Sequence, residues 1–388
     1  MRNTNTGWAS LVATLAGTGV ALAGPPQLGR SELISPAGTW PSVWQGTVAY
    51  LEGAGGAVMF YDGIESVLVY PLALHNYEPD NRGGVLAWRN SQGSAGTNEI
   101  LRWDGGPAIN ISNSPGVVDT DVAVAENGDV LWVRDHYWLM WYDASVGQAF
   151  NLNTPGIAPA SYVTATGMLT YAYQDPVTFE VQYFDGTTTL TLGLGLGQGT
   201  DYKARPSAHG GAVAWIGRGA GDIFVAGELF YWKDGLTVRV TNDDALGGRS
   251  DDYPSLWYDL VVWQRAPNGG TQTRVFLWDG AEAVALTTTR SLYPSLHRGT
   301  VAWVDYASGL RRAPLISDFP GDCSLDGVVD AEDLALFVEC CTGPGNGPAA
   351  MGCGCSDLNA DDDVDFADFA GLQRLPGLRA DAPHPPDE

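Results

Sequence analysis

One five-residue pattern recurs seven times along the chain: a Gly, three mostly apolar residues, then an aromatic. The copies are Gly46 to Tyr50, Gly84 to Trp88, Gly128 to Trp132, Gly167 to Tyr171, Gly211 to Trp215, Asp259 to Trp263 and Gly299 to Trp303, the sixth starting with Asp where the others have Gly. The closing aromatics are 38, 44, 39, 44, 48 and 40 residues apart. That period is the length of a four-stranded propeller blade and too long for a TPR or ankyrin unit. One such unit cannot bury its apolar faces alone, so the units must pack on one another.

Around each copy the pattern continues. An aromatic-rich strand follows, then a turn at Asp62-Gly63, Asp104-Gly105, Asp185-Gly186, Asp234-Gly235 or Asp279-Gly280, with Asp143-Ala144 in the third unit. Asp-Gly suits a two-residue type I′ hairpin, because both central residues need positive φ. Pro41-Ser42, Pro206-Ser207, Pro254-Ser255 and Pro294-Ser295 open the strand upstream of the Gly-led one. The seventh unit runs out at Leu315 and Ile316, and Leu28 to Ser35 resembles the final strands of other units. The N-terminal strand is therefore expected to complete blade seven, removing an exposed sheet edge. The fold expected for residues 24–316 is all-β, a seven-bladed propeller of four-stranded blades, with six blades and one degenerate repeat as the alternative. These units resemble the TolB-like propeller repeats, which implies a rigid disc with a central channel and loops that present a binding surface, not an activity.

Charge bounds the partners. The chain has 45 acidic against 20 basic residues, a net charge of −25, which disfavours nucleic acid. Residues 1–23 read as a secretory signal: Arg2, an apolar stretch from Leu11 to Ala23, and a small-x-small ending at Ala21-Leu22-Ala23. No other segment is long enough to span a membrane, so a secreted, cell-surface or periplasmic protein is expected. Cys323, Cys340, Cys341, Cys353 and Cys355 fall together near the C-terminus, which in an exported chain reads as local disulfides with one thiol left over.

The acidity is concentrated. Residues 321–388 hold 15 Asp and Glu and two Arg. From residue 322, oxygen side chains sit at loop positions 1, 3, 5, 9 and 12 (Asp322, Ser324, Asp326, Asp330, Asp333), with Gly327 at 6, the Val328 carbonyl at 7 and Val329 at 8. A second copy, 35 residues later, offers Asp357, Asn359, Asp361, Asp363, Asp365 and Asp368, with Val364 at position 8. A hard cation needs six to eight oxygens, and a loop wound around it points alternate side chains inward, so two Ca²⁺ sites are expected. Asp362 stands where the second loop should have Gly, which predicts weaker binding there. Each loop precedes a short amphipathic helix, Leu334 to Cys340 and Phe366 to Leu372.

Paired loops of this kind over residues 317–376 resemble a type I dockerin. The resemblance implies two calcium ions, antiparallel helices and docking to a cohesin-like module on a scaffold or surface. Ala331-Glu332 and Phe366-Ala367 occupy the positions that often carry cohesin recognition, and they differ between copies. The Cys340 to Cys355 insert is atypical, and a disulfide is expected to staple it. Residues 377–388 are expected to be disordered.

No catalytic constellation emerges: His75, His136, His209, His297 and His384 are scattered, and no nucleophile elbow, HExxH or phosphate loop occurs. His209 and His297 occupy equivalent turns, which favours a structural or solvent-exposed role. Asp201, Asp251, Asp252, Asp243 and Asp244 are the carboxylates that loops could converge, though an acid recurring at one blade position more often holds a turn or a neighbouring blade. Trp40, Trp44, Trp138 and Trp257 are the irregular tryptophans, candidates for a polysaccharide- or protein-binding face, with core packing favoured. The expectation is a secreted non-enzymatic binding or assembly protein. The alternative is an extracellular glycoside hydrolase or polysaccharide lyase with a dockerin-like tail.

Overall fold

The computed structural model describes residues 25–373 except 54–55, 72–75, 92–96, 153–162, 167–169, 176–177, 179, 195–204, 218–226, 243–250, 267–271, 317–320, 326–328, 330, 344–352, 354 and 359–362. The expected signal segment and C-terminal tail lie outside these residues. Two compact units are present, one comprising Gln27–Ile316 and the other including the C-terminal segment from Ser317.

Seven antiparallel sheets follow one another along the first unit, and six are consecutive four-strand meanders. Blade one runs Gly38–Trp44, Thr47–Glu52, Ala57–Tyr61, Ser66–Tyr70, blade two opens on Asn76–Arg82 and Val85–Ser91, blade three on Asp119–Val124 and Val130–Arg134, blade five on Ser207–His209 and Ala212–Gly217, and blade six runs Asp251–Trp257, Leu260–Arg265, Arg274–Trp278, Ala283–Ala285. Blade seven has Ser291–His297, Thr300–Asp305 and Gly309–Ile316, and its outer strand comes from the other end of the chain: Gln27–Leu28 and Glu32–Ser35 both pair antiparallel with Gly309–Ile316. The fold is a seven-bladed propeller closed by its N-terminal strand.

The second strand of each blade is sandwiched between neighbouring sheets, so it is apolar on both faces instead of alternating. Ala212–Gly217 and Thr300–Asp305 are buried at every residue. The fourth strands face outward, and Gln148–Asn151 is exposed throughout. The repeat aromatics fill the seams. Trp263 packs against Ala212, Ala214 and Ile216 of blade five, and Trp132 against Val85, Ala87 and Ile100 of blade two. Each buried indole also needs an acceptor: Trp88 Nε1 donates to Asn76 (3.1 Å), Trp132 Nε1 to Asp119 (3.0 Å) and Trp263 Nε1 to Asp251 (2.8 Å).

Among the described residues, hydrogen bonds tie the first strands of neighbouring blades together. The Ser of each Pro-Ser pair accepts from the backbone of the next blade: Ser42 from Asn81 N, Ser207 from Leu256 N, Ser255 from Leu296 N, and Ser295 from Val43 N, closing the circle from blade seven to blade one. Asp80 plays the same part toward Val124 N. His209 and His297 continue the scheme at the following turn, their Nδ1 atoms accepting from Tyr258 N and Gln45 N. Both rings are therefore structural, held neutral by burial and by Arg82 and Arg298, with His209 pushed down to about 3.

The Asp-Gly turns depart from expectation. Only Asp234-Gly235 is a two-residue loop with both φ positive, 51° and 83°. At three others the Asp carboxylate accepts the N–H groups two and three residues on: Asp62 from Ile64 and Glu65, Asp185 from Thr187 and Thr188, and Asp279 from Ala281 and Glu282. That side-chain turn spans four residues and leaves only the Gly in the left-handed region.

In the C-terminal unit, α1 (Ala331–Cys340) and α2 (Phe366–Leu372) pack around Phe337, Cys340, Cys353, Val364 and Leu372. Cys340–Cys353 bridges the insert after α1, Cys323–Cys355 links the two loop segments, and Cys341 is the exposed free thiol. Among the described residues no helix is long and apolar enough to cross a membrane.

Candidate metal centre and axial pocket

The two acidic loops close in the same way. In the first, Asp333 Oδ1 accepts from Cys323 N (2.7 Å) and Ser324 N (2.8 Å), so the twelfth residue reaches back to the second and third. In the second, Asp368 Oδ1 accepts from Leu358 N (2.7 Å) and its Oδ2 from Asp365 N (2.9 Å). Asp365 caps α2, accepting from Ala367 N (2.6 Å). The carboxylate oxygens of Asp363, Asp365 and Asp368 lie within 4.8 Å of one another. Asp322 and Ser324 are buried in the first loop, while Asp357 is half-buried. Asp326, Val328, Asp330, Asn359 and Asp361 lie outside the described residues.

Burial makes this arrangement demanding. Asp322, Asp333 and Asp368 are no more than 1% exposed, and residues 321–373 contain no Lys, Arg or His. Buried carboxylates are costly without compensating positive charge, and an all-oxygen donor set suits a hard divalent ion. The residues present fit such an ion.

The propeller carries a separate feature on its axis. The first strands of blades one, two, three, six and seven each contain a bulge at one repeat position. There Trp40, Glu78, Asp121, Tyr253 and Tyr293 have φ between 45° and 54°, and Arg205 of blade five matches them at 46°. Five of these six precede Pro. Non-Gly residues in this region cost about 1–3 kcal/mol each and persist where surrounding structure imposes them. Bulges re-aim side chains. Here Trp40, Glu78, Arg205, Tyr253 and Tyr293 line one cavity of about 180 Å³.

Its walls are aromatic. Trp40 stacks on Tyr293 at 4.3 Å, and Tyr253 meets both edge-on at 5.6 Å and 4.9 Å. Arg205 lies over Tyr253 at 3.8 Å and pairs with Asp252 at 3.1 Å. Burial pushes both phenols up, so they stay neutral. The sequence signal for this ring is the residue before each Pro-Ser, and before Pro79-Asp80 in blade two, which varies in chemistry on a constant frame.

The other candidates resolve as follows. Asp252 holds Arg205, and Asp251 is 1% exposed and serves the Trp263 seam. Asp201, Asp243 and Asp244 lie outside the described residues. Trp44 and Trp257 are buried against His297, Trp138 is exposed, and Trp40 lines the axis.

Asp251 sets a pH dependence. Its second oxygen and that of Glu228 share the Thr241 hydroxyl, at 2.6 Å and 2.7 Å, and one hydroxyl supplies one proton. Burial, offset by Thr241, Arg265 and Trp263, pushes Asp251 up from 3.8 to about 7. Between those values the folded state holds a proton that the unfolded state has lost, so this residue makes stability fall as pH rises. Chemical denaturation at pH 4 and pH 7.5 is expected to show a smaller loss across that window for Asp251→Asn than for the parent. An equal loss would remove Asp251 as its source.

No protein-family model matches the sequence, and no curated protein does. Solved structures are similar in fold: virginiamycin B lyase from Staphylococcus aureus (10% identity, TM-score 0.51, covering 75% of this chain and 100% of that chain), and the β-propeller domain of the Trilobed protease from Pyrococcus furiosus (10%, 0.51, 76% and 93%). The WD40 repeats of RRP9 match likewise (10%, 0.53, 76% and 100%). Proteins with such different activities share the propeller, so the likeness carries the fold alone.

Proposed function

We propose that the protein is an exported, non-enzymatic binding and assembly protein, in which the propeller presents a ligand surface and the C-terminal unit is a calcium-dependent docking module of dockerin type. The observation that carries this is the matched closure of the two loops by Asp333 and Asp368, buried in a segment without a basic residue. Asp322, Ser324, Asp326, the Val328 carbonyl, Asp330 and Asp333 would hold one Ca²⁺. Asp357, Asn359, Asp361, Asp363, Asp365 and Asp368 would hold the other. Bound calcium would compensate the buried carboxylates and fix the starts of α1 and α2. Two disulfides support an oxidising compartment. Of the carboxylates considered for the polysaccharide-degrading alternative, Asp251 and Asp252 are engaged in the Trp263 seam and the Arg205 pair.

A cohesin-like partner on a scaffold is the expected dock. Immobilised cohesin modules should retain the intact protein in calcium and release it in EGTA. Failure of retention by a protein shown to hold two calcium ions would overturn the dockerin assignment while leaving the metal sites standing.

A further inference from the structure

The axial cavity is built for a guest of particular charge. Three electron-rich rings, Trp40, Tyr253 and Tyr293, form its wall, with centroids 4.3–5.6 Å apart. Glu78, from blade two, has no hydrogen bond or ion pair to any described residue, and its charge acts on Tyr253. Asp80 adds a second carboxylate, already accepting from Ser42 Oγ and Val124 N. The one cationic side chain among the described lining residues, Arg205, is offset by Asp252. An anion entering here would meet Glu78 and Asp80. A neutral guest would leave the Glu78 charge unanswered by any described residue, whereas a cation would pair with it and meet the ring surfaces left open by Arg205, which covers Tyr253 at 3.8 Å, and by the Trp40–Tyr293 stack. The chain's charge of −25 favours the approach of cations as well.

We infer that the propeller axis binds an organic ammonium group, paired with Glu78 and lying beside the aromatic cluster of Trp40, Tyr253 and Tyr293. This rests on reading the propeller as a binding disc and is independent of the calcium loops. The volume, about 180 Å³, admits a head group with its first few carbons, not a large ligand. The same chemistry is presented by a free quaternary amine and by a basic side chain of a peptide. The strained bulge fits this role, since it holds these residues in place before the guest arrives.

Calorimetric titration of the intact protein with choline, with its neutral isostere 3,3-dimethylbutan-1-ol, and with Nα-acetyl-lysine methylamide tests the inference. Choline or the lysine amide should bind at least about tenfold more tightly than the neutral isostere, and Glu78→Gln should remove about tenfold of that affinity. Trp40→Leu should weaken it further. Should Trp40→Leu fail to fold, Glu78→Gln, which keeps size and hydrogen bonding, carries the test. A tighter lysine amide identifies a peptide side chain as the source and tighter choline a free amine, and both support the ammonium site. Equal affinity for the isostere, an unchanged Glu78→Gln variant, or no binding of either cation into the millimolar range would overturn it. Results should be the same in calcium and in EGTA, so failure here is distinct from failure of the calcium module.

Discussion

Deleting residues 27–35 is expected to lower the propeller's melting temperature by about 10 °C and to make the protein self-associate. The strand Glu32–Ser35 completes the seventh sheet by pairing Glu32 with Arg312 and Leu33 with Arg311. It brings Ile34 into the seam with Val43, Tyr50 and Leu310. Ser35, 4% exposed, bonds Glu52 of blade one. Arg312, whose side chain is 3% exposed, reaches Glu32, Gly46 O and Tyr61, joining blades seven and one through the closing strand. Losing the apolar contact, the Ser35 bonds and the carboxylate partner of a buried guanidinium sums to the order of 5 kcal/mol, with the Glu32 contribution discounted because Glu32 is 43% exposed. For a unit of this size that is about 2 °C per kcal/mol. The uncovered edge of Gly309–Ile316 then offers unpaired backbone groups to another copy. Scanning calorimetry and light scattering read both effects, and an unchanged melting temperature with a monomeric mass would contradict ring closure as a source of stability.

The second large effect is on the C-terminal unit. Removing calcium with EGTA from the intact protein should release amide protection in α1 and α2 while the propeller strands keep theirs. A ligand that binds only the folded state at 100 times its Kd contributes about 2.7 kcal/mol, so each site lost should cost about a hundredfold in protection. Hydrogen exchange resolved by segment is the measurement, because 17 helical residues would be lost in the circular dichroism of a β protein. The Cys323–Cys355 and Cys340–Cys353 bridges limit the unfolded chain, so reducing them before chelation should deepen the loss. Protection that is indifferent to EGTA, with or without reductant, would count against calcium as the stabilising ion.

Much of the architecture was legible in the sequence because a propeller repeats its physics. The Gly-led strand is apolar throughout, since both faces are covered, and seven copies at blade spacing left little choice of fold. Ring closure was legible too, from a missing strand at Ile316 and a spare one near Leu28. The Asp-Gly turns misled, because the Asp side chain competes for the turn's N–H groups and lengthens the loop. The axial ring was hidden for a deeper reason: Trp40, Glu78, Arg205, Tyr253 and Tyr293 take a backbone conformation that no local propensity favours and that the packed bulge imposes. Asp251 was visible as an acid, but only the seam reveals that it answers the Trp263 indole. In the C-terminal unit the spacing of acids was legible, and the structure adds the burial of Asp322, Asp333 and Asp368 that supports the proposed cation.

The central claim is that those acids form two calcium sites. Calorimetric titration of the decalcified intact protein with Ca²⁺ tests it most directly. Two ions per chain are predicted, the second site weaker, with Asp368→Ala abolishing that site alone and Asp333→Ala the other. No heat of binding, together with helical amide protection that is the same with and without Ca²⁺, would contradict it.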